Sequence, residues 1–256
     1  MCPDSFPGTR IDPEKAEKAM KTPSINTLIA LLFSRLLLFA LFQALLALAL
    51  KSWNDSEKYW MLVATLGNVV SILWLNFLFK QEGGKYLQMF HFDTAHWKKD
   101  LPLFLGLTVL LAILALVPNY ALSMWLWGDP SDSYALLFRP LPNALSYVLL
   151  VAFPVTIALA ELPTYFGYIM PRLEEKLGRK WLAIALPVFF LSIQHCCLPL
   201  IFDARFILYR GLMYLPFACL IGIVLWKRPR LLPYFVVLHG LMDMQAVVML
   251  ILEQHP

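Results

Sequence analysis

Apolar runs about twenty residues long recur along almost the whole of this sequence, and they restrict its fold more than any other feature. A run of that length matches a helix crossing the hydrocarbon core of a bilayer, which is about 30 Å thick. Inside lipid every backbone N–H and C=O needs a partner within the protein, so such runs become helices and not open strands or loops. The readable spans are residues 25–50, 59–79, 101–120, 142–170, 181–202, 206–226 and 230–251. Hydrophobic residues make up 60% of the chain and charged residues 15%. That balance excludes a water-soluble enzyme with a few buried helices. The expected fold is all-α: a polytopic transmembrane helical bundle of about seven spans. Residues 1–22 read as a polar tail without the short apolar core of a cleavable signal, and residues 23–256 as a single membrane domain. No internal repeat is visible.

Charge orients the bundle. The basic connections 80–100, 171–180 and 227–230 and the N-terminal tail fall on one side, and the less basic 51–58, 121–140 and 203–205 on the other. Lysine and arginine favour the cytoplasmic side, which places the N-terminus in the cytoplasm and the C-terminus opposite. No basic block is interleaved with aromatics, so nucleic acid is not an expected partner; the lipid bilayer is. Cys2, Cys196, Cys197 and Cys219 form no CxxC pair, and the adjacent two read as small apolar fillers. His91 and His96 read as loop or interface residues, and 121–128 as an interfacial tryptophan belt before a turn. Asn68 and Asn76 are suited to hydrogen bonds between helices. Arg35 interrupts the first span and is expected to snorkel or to pair with a neighbouring helix.

Ionisable groups at membrane depth are expensive, so they pair, face a polar cavity or bind an ion. Glu161, His195, His239 and Asp243 are placed this way. At the usual helical rise His195 lies about 21 Å from the basic side, His239 about 14 Å, Asp243 about 20 Å and Glu161 about 14 Å. One layer can hold them all. His239 and Asp243 are four apart and share a helical face, with Gly240 between them permitting close packing. Imidazole and carboxylate suit a divalent metal of the zinc class, with three protein ligands and an open position. The remaining carboxylate would serve as base or orient a ligand, giving metal-assisted hydrolysis of a peptide bond. Polar packing and a proton path explain the same four residues without a metal. Neither H-E-x-x-H nor G-x-S-x-G is present. Ser192 lies one turn before His195 but lacks the context of a serine nucleophile.

These residues resemble the CPBP intramembrane metalloprotease family, which includes CAAX prenyl endopeptidases and bacteriocin-linked members. The family's motifs are a pair of glutamates followed four residues later by arginine, a phenylalanine four before a histidine, and a histidine four before asparagine or aspartate. Glu161-Leu162-Pro163-Thr164-Tyr165-Phe166-Gly167 aligns with the first, Leu191 to His195 with the second, and His239 to Asp243 with the third. Leu162 replaces the second glutamate, Phe166 the arginine and Leu191 the phenylalanine. The resemblance covers about residues 140–250. It implies an endopeptidase acting on a membrane-associated peptide or protein, with Glu161 activating water and His195, His239 and Asp243 holding the metal or stabilising an oxyanion. The departures imply, as a second reading, a non-catalytic relative with an immunity or interaction role. A proton-coupled transporter is a third, disfavoured by the absence of paired interrupted spans.

Overall fold

A computed structural model describes residues 22–254. The expected tail, apart from Thr22, lies outside the described residues. The described chain is helical: α1 (Ile25–Leu50), α2 (Trp53–Glu57), α3 (Trp60–Gln81), α4 (Trp97–Trp127), α5 (Pro130–Leu137), α6 (Asn143–Leu162), α7 (Met170–Leu177), α8 (Lys180–Ile193), α9 (Ala204–Met213), α10 (Leu215–Lys227) and α11 (Leu232–Gln254). Short 3-10 turns lie at Tyr86–Phe90, Gln194–Cys196 and Pro229–Leu231, and a π-helical turn, Pro163–Ile169, joins α6 to α7. Six helical stretches among the described residues are long and apolar enough to cross a membrane. The molecule is therefore a polytopic helical bundle.

Local chemistry sets the helix ends. Ser24 caps α1 by accepting the N–H of Thr27, and Asp129 caps α5 through Ser131. Gly128 (φ +85°) and Gly178 (φ +60°) end α4 and α7 in the left-handed conformation that glycine adopts without a steric cost.

Three expected spans differ from their sequence boundaries. The third, expected at 101–120, is the 31-residue α4, which runs through Pro118 and takes up the tryptophans expected at an interface. Proline removes one helical hydrogen bond, a loss that membrane helices tolerate where the freed carbonyl finds another partner. The fourth continues past Pro163 as one stretch, Asn143–Leu177. The fifth, expected at 181–202, is a shorter apolar stretch, Lys180–Cys196, and non-helical chain follows it to Asp203.

Cross-contacts sort the connections into two ends. At one end Arg172 pairs with Glu82, Arg230 with Asp100 at 2.9 Å, and Lys176 reaches Thr22 at 3.1 Å. At the other, Arg139 bonds Asn54 and Glu57, Trp60 donates to the Leu137 carbonyl at 2.7 Å, and Ser146 meets Gln254 at 3.2 Å. The basic connections gather at the first end. Between the ends, α6 with its π turn is the axis of the core: Phe153, Ile157, Leu162, Tyr165, Tyr168 and Ile169 are all buried. By contrast α4 buries only Asp100, Leu111 and Ser123.

Candidate functional site

Glu161 sits at the end of α6, immediately before the π turn, and is 1% exposed. A π turn widens the helix and frees a carbonyl, and such turns recur at functional positions. Here Thr164 returns its hydroxyl to the Ala160 carbonyl at 2.6 Å, and Tyr86 donates to the Leu159 carbonyl. On the far side of the turn, Tyr168 and Arg172 both bond Glu82 of the α3–α4 connection. The segment carrying Glu161 is thus pinned from both sides.

The two carboxylate oxygens of Glu161 face different partners. Oε2 accepts from Gln194 Nε2 at 2.7 Å and from Arg35 Nη2 at 3.4 Å. Arg35 Nε donates to Gln194 Oε1 at 2.7 Å, and the Tyr165 hydroxyl reaches the same oxygen at 3.3 Å. Arg35 and Gln194 have no exposed surface. The arginine of the first span therefore does not snorkel. It closes a ring with Gln194 and Glu161, the paired arrangement that a buried charge requires.

Oε1 faces α11. His239 Nε2 lies 3.0 Å from Glu161 Oε1 and 3.5 Å from Asp243 Oδ2. Close helix packing permits this. A Cβ on Gly240 would stand 3.1 Å from Ala158 Cβ and 3.3 Å from the Pro154 carbonyl oxygen, so a larger residue would push α11 away from α6. His239 Nε2 and Asp243 Oδ2 are buried, and neither approach of His239 Nε2, to Glu161 or to Asp243, has the geometry of a hydrogen bond. Arg35 Nη1 is likewise buried without a hydrogen bond.

His195 lies in the 3-10 turn after α8, 8% exposed, with its ring 4.2 Å from that of Tyr214. Its Nδ1 is 2.9 Å from the Leu191 carbonyl oxygen, which makes Nδ1 the protonated nitrogen and leaves Nε2 as the lone-pair donor. The backbone that positions it is stitched by side chains. Arg210 donates to the His195 carbonyl at 3.2 Å and to the Leu198 carbonyl at 2.6 Å, and Gln43 and Trp53 both donate to the Leu200 carbonyl. Non-helical chain at membrane depth survives only where such partners satisfy it.

The sequence-derived residues thus stand as follows. Glu161, His239 and Asp243 make direct contacts, and His195 adjoins them through its neighbour Gln194. Ser192 bonds the Gly211 carbonyl at 2.7 Å, a packing contact, and Cys196 and Cys197 are free thiols. Gln194 gave no signal in the sequence, because a neutral residue in an apolar run carries no charge to explain, and Tyr165 entered only as a member of the aligned first motif.

Among the described residues no group of three or more His, Cys, Asp or Glu side chains stands where it could hold a metal ion. The match to such an ion is limited to donor type and to one pair of atoms. Neutral imidazole and carboxylate are ligands of the zinc class, and the orphaned His239 Nε2 and Asp243 Oδ2 are 3.5 Å apart. Donors about 2.0–2.1 Å from a tetrahedral ion stand about 3.3 Å from one another. Comparisons with protein-family models, with curated proteins and with solved structures found no match.

Proposed function

We propose that this chain is a metal-dependent intramembrane endopeptidase that cleaves a membrane-associated peptide or protein. One observation carries the reading: Glu161 and His239, from separate helices, meet at 3.0 Å beside Asp243, and His239 Nε2 and Asp243 Oδ2 are buried there without a hydrogen bond. His239 Nε2, Asp243 Oδ2 and His195 Nε2 would hold a zinc-class ion, with Glu161 Oε1 beside them. When bound, the ion supplies Lewis acidity to a carbonyl or water oxygen.

Arg35 and Gln194 immobilise Oε2 and leave Oε1 on the side of His239. As water attacks the peptide carbonyl carbon, Oε1 takes its proton; the C–N bond then breaks and that proton passes to the leaving nitrogen. The similarity in order and spacing to the CPBP family supports the same assignment, and Arg35 supplies from another helix the cation that Phe166 removes from the motif. With the basic end in the cytoplasm, the N-terminus is cytoplasmic and the C-terminus opposite.

A second reading also has an observation behind it. Glu161 Oε2 is saturated by Gln194 and Arg35, and the carboxylate is almost wholly enclosed. A non-catalytic member using the cluster as polar packing accounts for that enclosure. Metal content by mass spectrometry separates the two. Purified protein should carry about one zinc-class ion per chain, and H195A and H239A should each lose it. Equal metal content in parent and both variants rejects the metal site. E161Q should keep the metal and the fold but lose cleavage of a transmembrane peptide that the parent cuts; equal cleavage removes Glu161 as base.

A further inference from the structure

Positive charge at the basic end is distributed unevenly. Arg172 and Arg230 are matched by Glu82 and Asp100. Lys176, Arg179, Lys180, Lys227 and Arg228 are exposed, and none has an ion-pair partner among the described residues. They belong to one corner. Lys180 Nζ lies 5.4 Å from the ring of Trp226, whose indole N–H donates to Glu174 at 2.9 Å. That indole ties the α7–α8 junction to the end of α10. The two helices below the corner pack closely: a Cβ on Gly222 would stand 2.8 Å from Val188 Cγ2. Exposed apolar side chains follow on the same helices, with Trp181 at 65%, Phe189 at 52% and Ile223 at 45%.

The orientation preference of lysine and arginine accounts for their side of the membrane, and for the exposed Lys80, Lys85, Lys98 and Lys99 as well; it does not account for five cations from two connections gathered about one indole with only Glu174 and Glu175 among them. We propose that this corner, Lys176, Arg179, Lys180, Lys227 and Arg228 around Trp226, is a binding site for the headgroup of an anionic phospholipid. Ammonium and guanidinium groups receive the phosphate, and the exposed apolar faces of α8 and α10 meet the acyl chains. A phospholipid is the occupant that matches both features, since a soluble anion leaves the apolar surface below unused. Basic pockets at helix ends hold acidic headgroups in this manner.

The test is native mass spectrometry of the full chain with equal amounts of phosphatidylglycerol and phosphatidylcholine. Phosphatidylglycerol should be retained preferentially. The combined variant R179Q/K180Q/K227Q/R228Q should lose the preference, and K227Q alone should weaken it roughly fivefold, the equivalent of about 1 kcal/mol per charge near the surface. A control, K98Q/K99Q, removes charge from the same end, beside the Arg230–Asp100 pair, and should retain the preference. Equal retention of the two lipids by the parent overturns the proposal. So does an unchanged preference in both corner variants, or a loss in the control as large as in the combined variant.

Discussion

At the scale of single residues, Arg35 decides what Glu161 is. A guanidinium and a carboxylate without exposure stabilise each other only while both are present. R35Q should therefore lower stability by about 3–5 kcal/mol, because it leaves the carboxylate as an uncompensated buried charge. The double variant R35Q/E161Q should recover most of that loss. Thermal melts of the purified single and double variants check both; equal losses in R35Q and R35Q/E161Q would mean that the ion pair is not what holds the site. Sequence alone singled out Arg35 and Glu161 for the same physical reason: a charge in an apolar run needs an explanation. It could not join them, because they are 126 positions apart on helices whose adjacency no local pattern encodes. The His239–Asp243 pair was easier to read, since a spacing of four is itself geometry.

At the scale of elements, the short α8 is the informative departure. Apolar composition predicts a span to residue 202, yet the helix stops at Ile193 because buried side chains offer the next carbonyls better partners. Gln43 and Arg210 read in sequence as isolated polar residues, and their role as backbone partners depends on tertiary contact. Q43L removes both the donor to the Leu200 carbonyl and the acceptor of the Leu200 N–H. It should cost about 1–3 kcal/mol per group left unsatisfied, with amide hydrogen exchange accelerated at residues 198–202; unchanged exchange there would refute the stitching.

The next helix begins at a titratable cap. Burial alone would raise the pKa of Asp203, but N–H bonds from Phe206 and Arg205 and the Arg205 side chain outweigh it, and the value lies below the usual 3.8. The cap's contribution is thus complete above that usual value and is lost as pH falls through the lower value of the folded protein. D203A should cost about 1 kcal/mol near neutrality, and D203N much less, since asparagine caps comparably. Melting curves across acid pH should show the gap between the parent and D203A closing as pH falls.

At the scale of the whole molecule, composition specified a membrane bundle because no other fold class accommodates so much apolar sequence in spanning lengths. The separation of connections into two ends followed from counting spans, and the contacts of Arg172, Arg230 and Arg139 reproduce it. Cysteines introduced at Asp55 and Lys98 should accordingly be labelled by an impermeant maleimide from opposite faces of sealed vesicles. Labelling of both from one face would break the arrangement. Helix α4 has a relation to the bundle that the span count did not reveal. Its buried residues on a helix of 31 residues are Asp100, Leu111 and Ser123; at 3.6 residues per turn the first two lie within about 20° of one line, and Ser123 stands about 120° round from Leu111. A rod about 46 Å long exceeds the thickness of the hydrocarbon it crosses, and it is tied at its two ends to different neighbours, Asp100 to Arg230 and Ser123 to Ser133. A helix longer than its bilayer is thick is accommodated by leaning over, so the inclination of α4 follows the membrane in which the protein resides.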